Sequence, residues 1–98
     1  MTITALLDLT LTPESLEEAP AIIDQVLTQT RAFEGCLGLE VLQDETDPTR
    51  VMVIERWDSP ESDAAYRAWR ATPEGTSSLG SILAAAPTLV KYTTLSEK

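Results

Sequence analysis

Residues 36–57 read CLGLEVLQDETDPTRVMVIERW, and the alternation within this stretch decides the fold. Leu37, Leu39 and Val41 fall on one side of an extended chain, with Gly38, Glu40 and Leu42 on the other. Beyond the polar turn Asp44-Glu45-Thr46-Asp47-Pro48-Thr49, Val51 and Val53 oppose Met52 and Ile54. Side chains of a strand alternate between faces with period two, and β-branched residues favour the pleated surface. The stretch predicts a hairpin of strands 36–43 and 50–57. Both faces carry apolar residues, so both need cover.

Working outward, Thr2 to Leu11 places Ile3, Ala5, Leu7, Leu9 and Leu11 on one face, which predicts a further strand. Ser15-Leu16-Glu17-Glu18 has the form of a capping box. Leu16, Ala19, Ile23, Val26, Leu27, Thr30 and Phe33 then recur at helical spacing up to Gly35. Pro20 removes one helical hydrogen bond and should bend or delay the first turn.

Downstream, Ser59-Pro60 opens a second helix carrying Ala65, Tyr66, Ala68 and Trp69. Thr72-Pro73 repeats the device and predicts a third helical stretch with Leu79, Ile82 and Leu83, ended by Pro87. Thr88 to Leu95 reads as the last strand, with Val90 and Tyr92 against Leu89 and Leu95.

The expected order is β-α-β-β-α-α-β: an α+β, ferredoxin-like antiparallel sheet with helices on one face, in one domain over residues 1–98. Helices cover only one face of such a sheet. Apolar residues on the second face then predict a homodimer, because a large exposed apolar patch marks an association surface.

Composition narrows the function. The net charge of −9 repels phosphate backbones and anionic lipid, so neither nucleic acid nor a membrane surface is an expected partner. No apolar run reaches the ~20 residues needed to span a bilayer, and no basic segment precedes the apolar N-terminal residues; a cytoplasmic protein is the expectation. Cys36 is the only cysteine, so no internal disulfide forms. There is no histidine, which removes the commonest base near neutral pH and the commonest zinc or haem ligand. No metal or other cofactor is expected.

A helix ending Phe33-Glu34-Gly35-Cys36, a strand Leu37-Gly38-Leu39-Glu40-Val41-Leu42 and a strand ending Val53-Ile54-Glu55-Arg56-Trp57 resemble the antibiotic biosynthesis monooxygenase family. Ala65-Tyr66-Arg67-Ala68-Trp69 and the late strand near Tyr92 extend the resemblance over nearly the whole chain. It implies a dimeric α+β barrel with a pocket between helices and sheet in each subunit. It also implies oxidation of a small phenolic, polycyclic or quinol-type molecule by O2 without metal or flavin. The haem-degrading branch uses an Asn, a Trp and a His; matching places Leu7 and Leu79 at the first and last, and retains only Trp69.

Such chemistry needs aromatic walls, a donor or cation for the substrate anion, and a base. Tyr66 and Trp69 share a helix face and are candidate walls, or simply core. Arg70 is a candidate at the pocket mouth, or a solvated surface group. Asp8, between Leu7 and Leu9, is the candidate base, or one half of a cross-strand pair. Arg67 turns away from Trp69 by roughly 200°. Glu40, Glu55 and Arg56 are explained by cross-strand pairing, Trp57 by packing or dimer contact, and Cys36 by core filling. A cofactor-independent monooxygenase and a non-catalytic binding module both fit these residues; haem degradation is disfavoured by the missing histidine.

Overall fold

The computed structural model describes residues 2–97. Strands β1 (Ile3–Thr10), β2 (Cys36–Gln43), β3 (Arg50–Trp57) and β4 (Thr88–Thr93) form one antiparallel sheet in the order β2-β3-β1-β4. Helices α1 (Ala19–Ala32) and α2 (Pro60–Arg70) complete the ferredoxin-like α+β arrangement. Register places Leu9 opposite Val51 and Leu7 opposite both Val53 and Leu89, so the odd-numbered residues of these strands share a face.

That face meets the helices. Leu9, Leu11, Val51 and Val53 pack against Ala19, Ile23 and Leu27 of α1. Ile3, Ala5 and Trp57 pack against Tyr66 of α2, with Phe33, Cys36 and Trp69 around them. The opposite face holds Leu6, Met52 and Ile54, half-buried, and exposed Leu42, Val90 and Tyr92. No element of the described chain lies over these residues. The two-sided pattern of the strands is therefore physical: one face is the core and the other is an open apolar surface.

Three details depart from the sequence reading. The Ser15 capping box does not form. Its hydroxyl accepts from Thr12 at 2.6 Å, and α1 begins at Ala19 without a side-chain cap. Pro20 decides this start: lacking an N–H, it fits the first helical turn, and the helix begins where it occupies that turn.

The third helical stretch is reduced to a 3-10 turn at Leu79–Ile82. Gly75, Gly80 and the hydroxyl run Thr76-Ser77-Ser78 favour helix weakly, and their side chains compete for backbone groups. Ser77 Oγ accepts from the Leu79 amide and Ser81 Oγ donates to the Ser78 carbonyl. The segment instead lies along the end of β1, where Ala84 N donates to Thr10 O and Thr12 N to Ile82 O. The last strand also stops at Thr93, leaving Leu95 in solvent.

Gly35 links α1 to β2 with φ +93°, a region that penalises any Cβ. Its carbonyl accepts from Asp58 N at 2.9 Å and so fixes the entry to α2. Ser59 caps that helix by accepting from Ser62 N. Among the described residues no helix is long and apolar enough to cross a membrane.

Candidate functional site

Of the hollows on the helix-covered side of the sheet, two are walled by more than one strand. The larger, about 390 Å³, is an open groove lined by aliphatic residues such as Leu16, Ile23, Leu39 and Val41, with Asp24 and Gln43 as its polar members. It holds no cation and no phenol, so it has little with which to orient or ionise a ligand. The smaller, about 130 Å³, lies between sheet and helices. Its floor is Leu7, Leu9 and Val53, α1 contributes Val26 and Leu27, and Leu79 closes another side. Here the polar groups converge: Glu55 from β3 with Tyr66, Arg67 and Arg70 from α2. Size favours the groove, but chemistry places the candidate site in the smaller cavity.

Helical spacing brings Tyr66 and Arg70 onto one ridge, four residues apart. Arg70 Nε donates to Tyr66 Oη at 2.7 Å. Its Nη1 reaches Gln29 Oε1 and the Gly75 carbonyl, and its Nη2 reaches the Val26 carbonyl and Thr30 Oγ1. These contacts occupy the whole donor fork. Tyr66 Oη lies 2.7 Å from Thr30 Oγ1, and Thr30 Oγ1 donates to Val26 O at 3.3 Å. With Arg70 donating into both oxygens, the assignment that gives each hydroxyl proton an acceptor runs from Tyr66 to Thr30 to Val26. Tyr66 therefore spends its O–H on α1 and presents ring surface to the cavity.

Arg70 pairs with no carboxylate among the described residues; all its partners are neutral. Its planar group also stacks on Trp69, 4.8 Å from the ring centroid. This sets Arg70 apart from the solvated surface arginine that the sequence favoured.

Arg67 emerges as the residue that sequence reasoning set aside. Its Nη2 donates to Glu55 Oε1 at 2.5 Å and lies 3.1 Å from Asp63 Oδ1. The latter distance suits an ion pair, yet Asp63 Oδ1 makes no well-directed hydrogen bond, and Arg67 Nε is enclosed without an acceptor. The guanidinium is thus turned toward Glu55 and keeps donor capacity unused. Asp63 is held from its other oxygen by Lys91 Nζ at 2.5 Å. The spacing Asp63-x-x-x-Arg67 was the available signal for the intrahelical pair. That Glu55 lies on the same face needed the tertiary register.

Glu55 is buried, and Trp57 donates its indole N–H to Oε1 at 3.2 Å. The cross-strand pairing expected for Glu40, Glu55 and Arg56 is not what forms. Glu55 faces the helices and pairs with α2, whereas Glu40 and Arg56 are exposed on the open face and opposite Ile54 and Gly38. Trp57, fully buried, is a packing residue in the second core cluster.

Of the four site residues expected from sequence, the cavity gathers Tyr66 and Arg70. Trp69 lies behind them, 5.5 Å from the Phe33 ring and 6.3 Å from Tyr66, and supports Arg70 without lining the cavity. Asp8 is on the far side of the sheet. Strand alternation sends Leu7 and Leu9 to the helix face and leaves Asp8 opposite Met52 and Thr88, 3.5 Å from Arg50. With 36% of its side chain exposed, it lacks the apolar enclosure for which it was singled out.

Leu7 and Leu79 both line the cavity. Their methyl groups offer no nitrogen or oxygen donor to an iron or its bound oxygen, so the residues present do not fit haem. Burial pushes the Cys36 thiol above its ordinary range, which suits the core role read from sequence.

Residues 2–76 match the family model described as antibiotic biosynthesis monooxygenase. Among solved structures, Rv0793 from Mycobacterium tuberculosis is similar with a TM-score of 0.80 at 18% identity, over 99% of this chain and 98% of that one. A conserved protein from Methanosarcina mazei Go1 gives 0.77 at 20% identity, over 94% and 91%. A protein described as an antibiotic biosynthesis monooxygenase gives 0.79 at 18% identity, over 96% and 99%. At these identities the likeness shows the fold. No curated protein matches the chain.

Proposed function

The chain belongs to the antibiotic biosynthesis monooxygenase family, and from this premise we propose that it is a cofactor-independent monooxygenase acting on a small phenol or quinol. One observation carries the reading: the apolar cavity holds the Arg70 guanidinium, whose charge no carboxylate among the described residues balances, in a protein of net charge −9. Arg67, Arg70 and Lys91 stand against Glu55 and Asp63, leaving one surplus positive charge. A low-dielectric site with a surplus cation favours an anionic ligand over its neutral form.

The phenolate is what O2 chemistry without a cofactor requires. A phenol bearing a para C–H and O2 give a para-quinone and water. One oxygen atom enters the ring, the other leaves as water, and the substrate supplies all the electrons. Within this scheme Arg67 offers the N–H donors of Nη1 to the phenolate oxygen, since its Nε is enclosed and its Nη2 is held by Glu55. Arg70 acts through its field, since its own donors are occupied. Leu7, Leu9, Val53 and Leu79 exclude water.

Cavity size sets the substrate. A void of about 150 Å³ holds benzene; at about 130 Å³ this cavity is slightly smaller, so a single ring enters with a small outward shift of its walls. A polycyclic substrate would have to displace the wall that carries Ser77 and Leu79. The active species is a homodimer, paired through the open face of Leu6, Met52, Ile54 and Val90.

Oxygen-electrode assays with single-ring phenols and quinols, without added metal, flavin or haem, test the proposal. Oxygen uptake with stoichiometric quinone is expected. Arg67→Met should lower kcat/KM by about 10²- to 10³-fold, the usual cost of one anion-stabilising donor. Saturable phenol binding without oxygen uptake would replace the enzyme by a binding module of the same fold.

A further inference from the structure

We propose that Glu55 is the proton acceptor of this site, taking the substrate hydroxyl proton on Oε2. The assignment deepens the monooxygenase reading and supplies a base inside the cavity, which Asp8, on the other sheet face, does not line. Glu55 is the one carboxylate among the cavity-lining residues, with a side chain 1% exposed. Both hydrogen bonds that reach it, from Arg67 Nη2 and Trp57 Nε1, end on Oε1. Among the described residues none donates a hydrogen bond to Oε2, and Glu55 lines the cavity wall. Buried carboxylate oxygens are ordinarily hydrogen-bonded, so an unpaired one in a cavity wall is a place for a ligand donor.

The arrangement also holds Glu55 in place. Arg67 and the Trp57 indole fix Oε1 from two directions, and Trp57 is itself fully buried. Asp63 grips Arg67 one helical turn away and is gripped in turn by Lys91 of β4. Asp63 is accordingly a positioning residue: it touches no cavity surface and acts through Arg67.

The step balances in charge. The substrate O–H bond breaks, its proton forms a bond with Oε2, and the electron pair stays on the substrate oxygen. The total charge of the cavity does not change. Negative charge moves from a carboxylate already served by Arg67 to a substrate within the field of Arg70. The charged and titratable groups around Glu55 are Asp63, Tyr66, Arg67 and Arg70 on α2, Lys91 on β4 and Cys36 on β2.

The test uses 4-cyanophenol, whose neutral and ionised forms absorb at different wavelengths, bound to the full chain without oxygen at about pH 6.5. The wild type should bind it as phenolate with no net proton released to the medium, because Glu55 keeps the proton. Glu55→Gln should bind it as neutral phenol, or as phenolate with one proton released. Glu55→Asp, one methylene shorter, should restore part of the wild-type behaviour. In turnover, Glu55→Gln should lose about 10²- to 10⁴-fold in kcat/KM for weakly acidic phenols and far less for phenols already ionised.

A folded Glu55→Gln protein that gives the wild-type phenolate band and proton count overturns the assignment. So does a wild type that binds the neutral form, or that fails to bind the probe at millimolar concentration. Oxygen uptake decides the monooxygenase reading separately. A phenolate band that depends on Glu55, without turnover, would keep the proton acceptor and remove the oxygenase.

Discussion

Replacing Arg70 with Met keeps the length of the side chain and removes every donor. Five acceptors then lose a partner, and they differ in what that loss costs. Gln29 is exposed and turns to water. Tyr66 Oη and Thr30 Oγ1 keep each other. The Val26 carbonyl keeps Thr30 as a donor at 3.3 Å. Gly75 is buried, and its carbonyl loses the contact that ties the segment after α2 to the helix. An orphaned buried carbonyl costs about 1–3 kcal/mol, and the charge-assisted bonds lost elsewhere about 1 kcal/mol together, because their acceptors keep another partner or turn to water. The sum is about 3 kcal/mol. For a domain of this size each kcal/mol lowers Tm by about 4–8 °C, so a fall of roughly 12–24 °C is expected.

Arg70→Lys should recover less than half, because a point charge cannot reach acceptors spread around a planar fork. Calorimetry at fixed protein concentration reads both variants. A Tm within about 3 °C of wild type for Arg70→Met would refute the reasoning and return Arg70 to the solvated surface.

Three other perturbations follow from the same contacts. Ile54→Lys places a charge on the open sheet face, so light scattering should change from about twice 10.7 kDa to the single-chain mass; an unchanged dimer mass would move the interface elsewhere. Gly35→Ala puts a methyl group 2.3 Å from Ser62 Oγ at a backbone φ of +93°, and should cost about 2–4 kcal/mol in urea unfolding; a loss below about 1 kcal/mol contradicts the close approach. Hydrogen bonds from the Thr46 amide and hydroxyl hold the Asp44 carboxyl below its ordinary range. A depressed carboxyl stabilises the fold above its unfolded pKa of about 3.9 and loses that effect as pH falls through the folded value. The urea midpoint of wild type should therefore exceed that of Asp44→Asn at pH 7 and converge on it in acid, and a gap independent of pH would exclude the linkage.

The sequence by itself determined the four strands, the two long helices and the apolar character of both sheet faces. Each depends on local periodicity: alternation in Cys36–Trp57, helical spacing from Ala19 to Ala32, and the Ser59-Pro60 start of α2. It put Tyr66 and Trp69 on one helix face, whereas the cavity gathers Tyr66 with Arg70 and leaves Trp69 behind them. The tertiary structure decided the rest. Whether a carboxylate on an apolar strand is enclosed depends on which face meets the helices, and that parity sends Asp8 outward although it lies between leucines, and Glu55 inward although Arg56 follows it. Arg67 became a site residue only when register set Glu55 beneath α2. The segment after α2 stayed a 3-10 turn because backbone pairing with the end of β1 competes with a helix that its glycines and hydroxyls favour too weakly to hold.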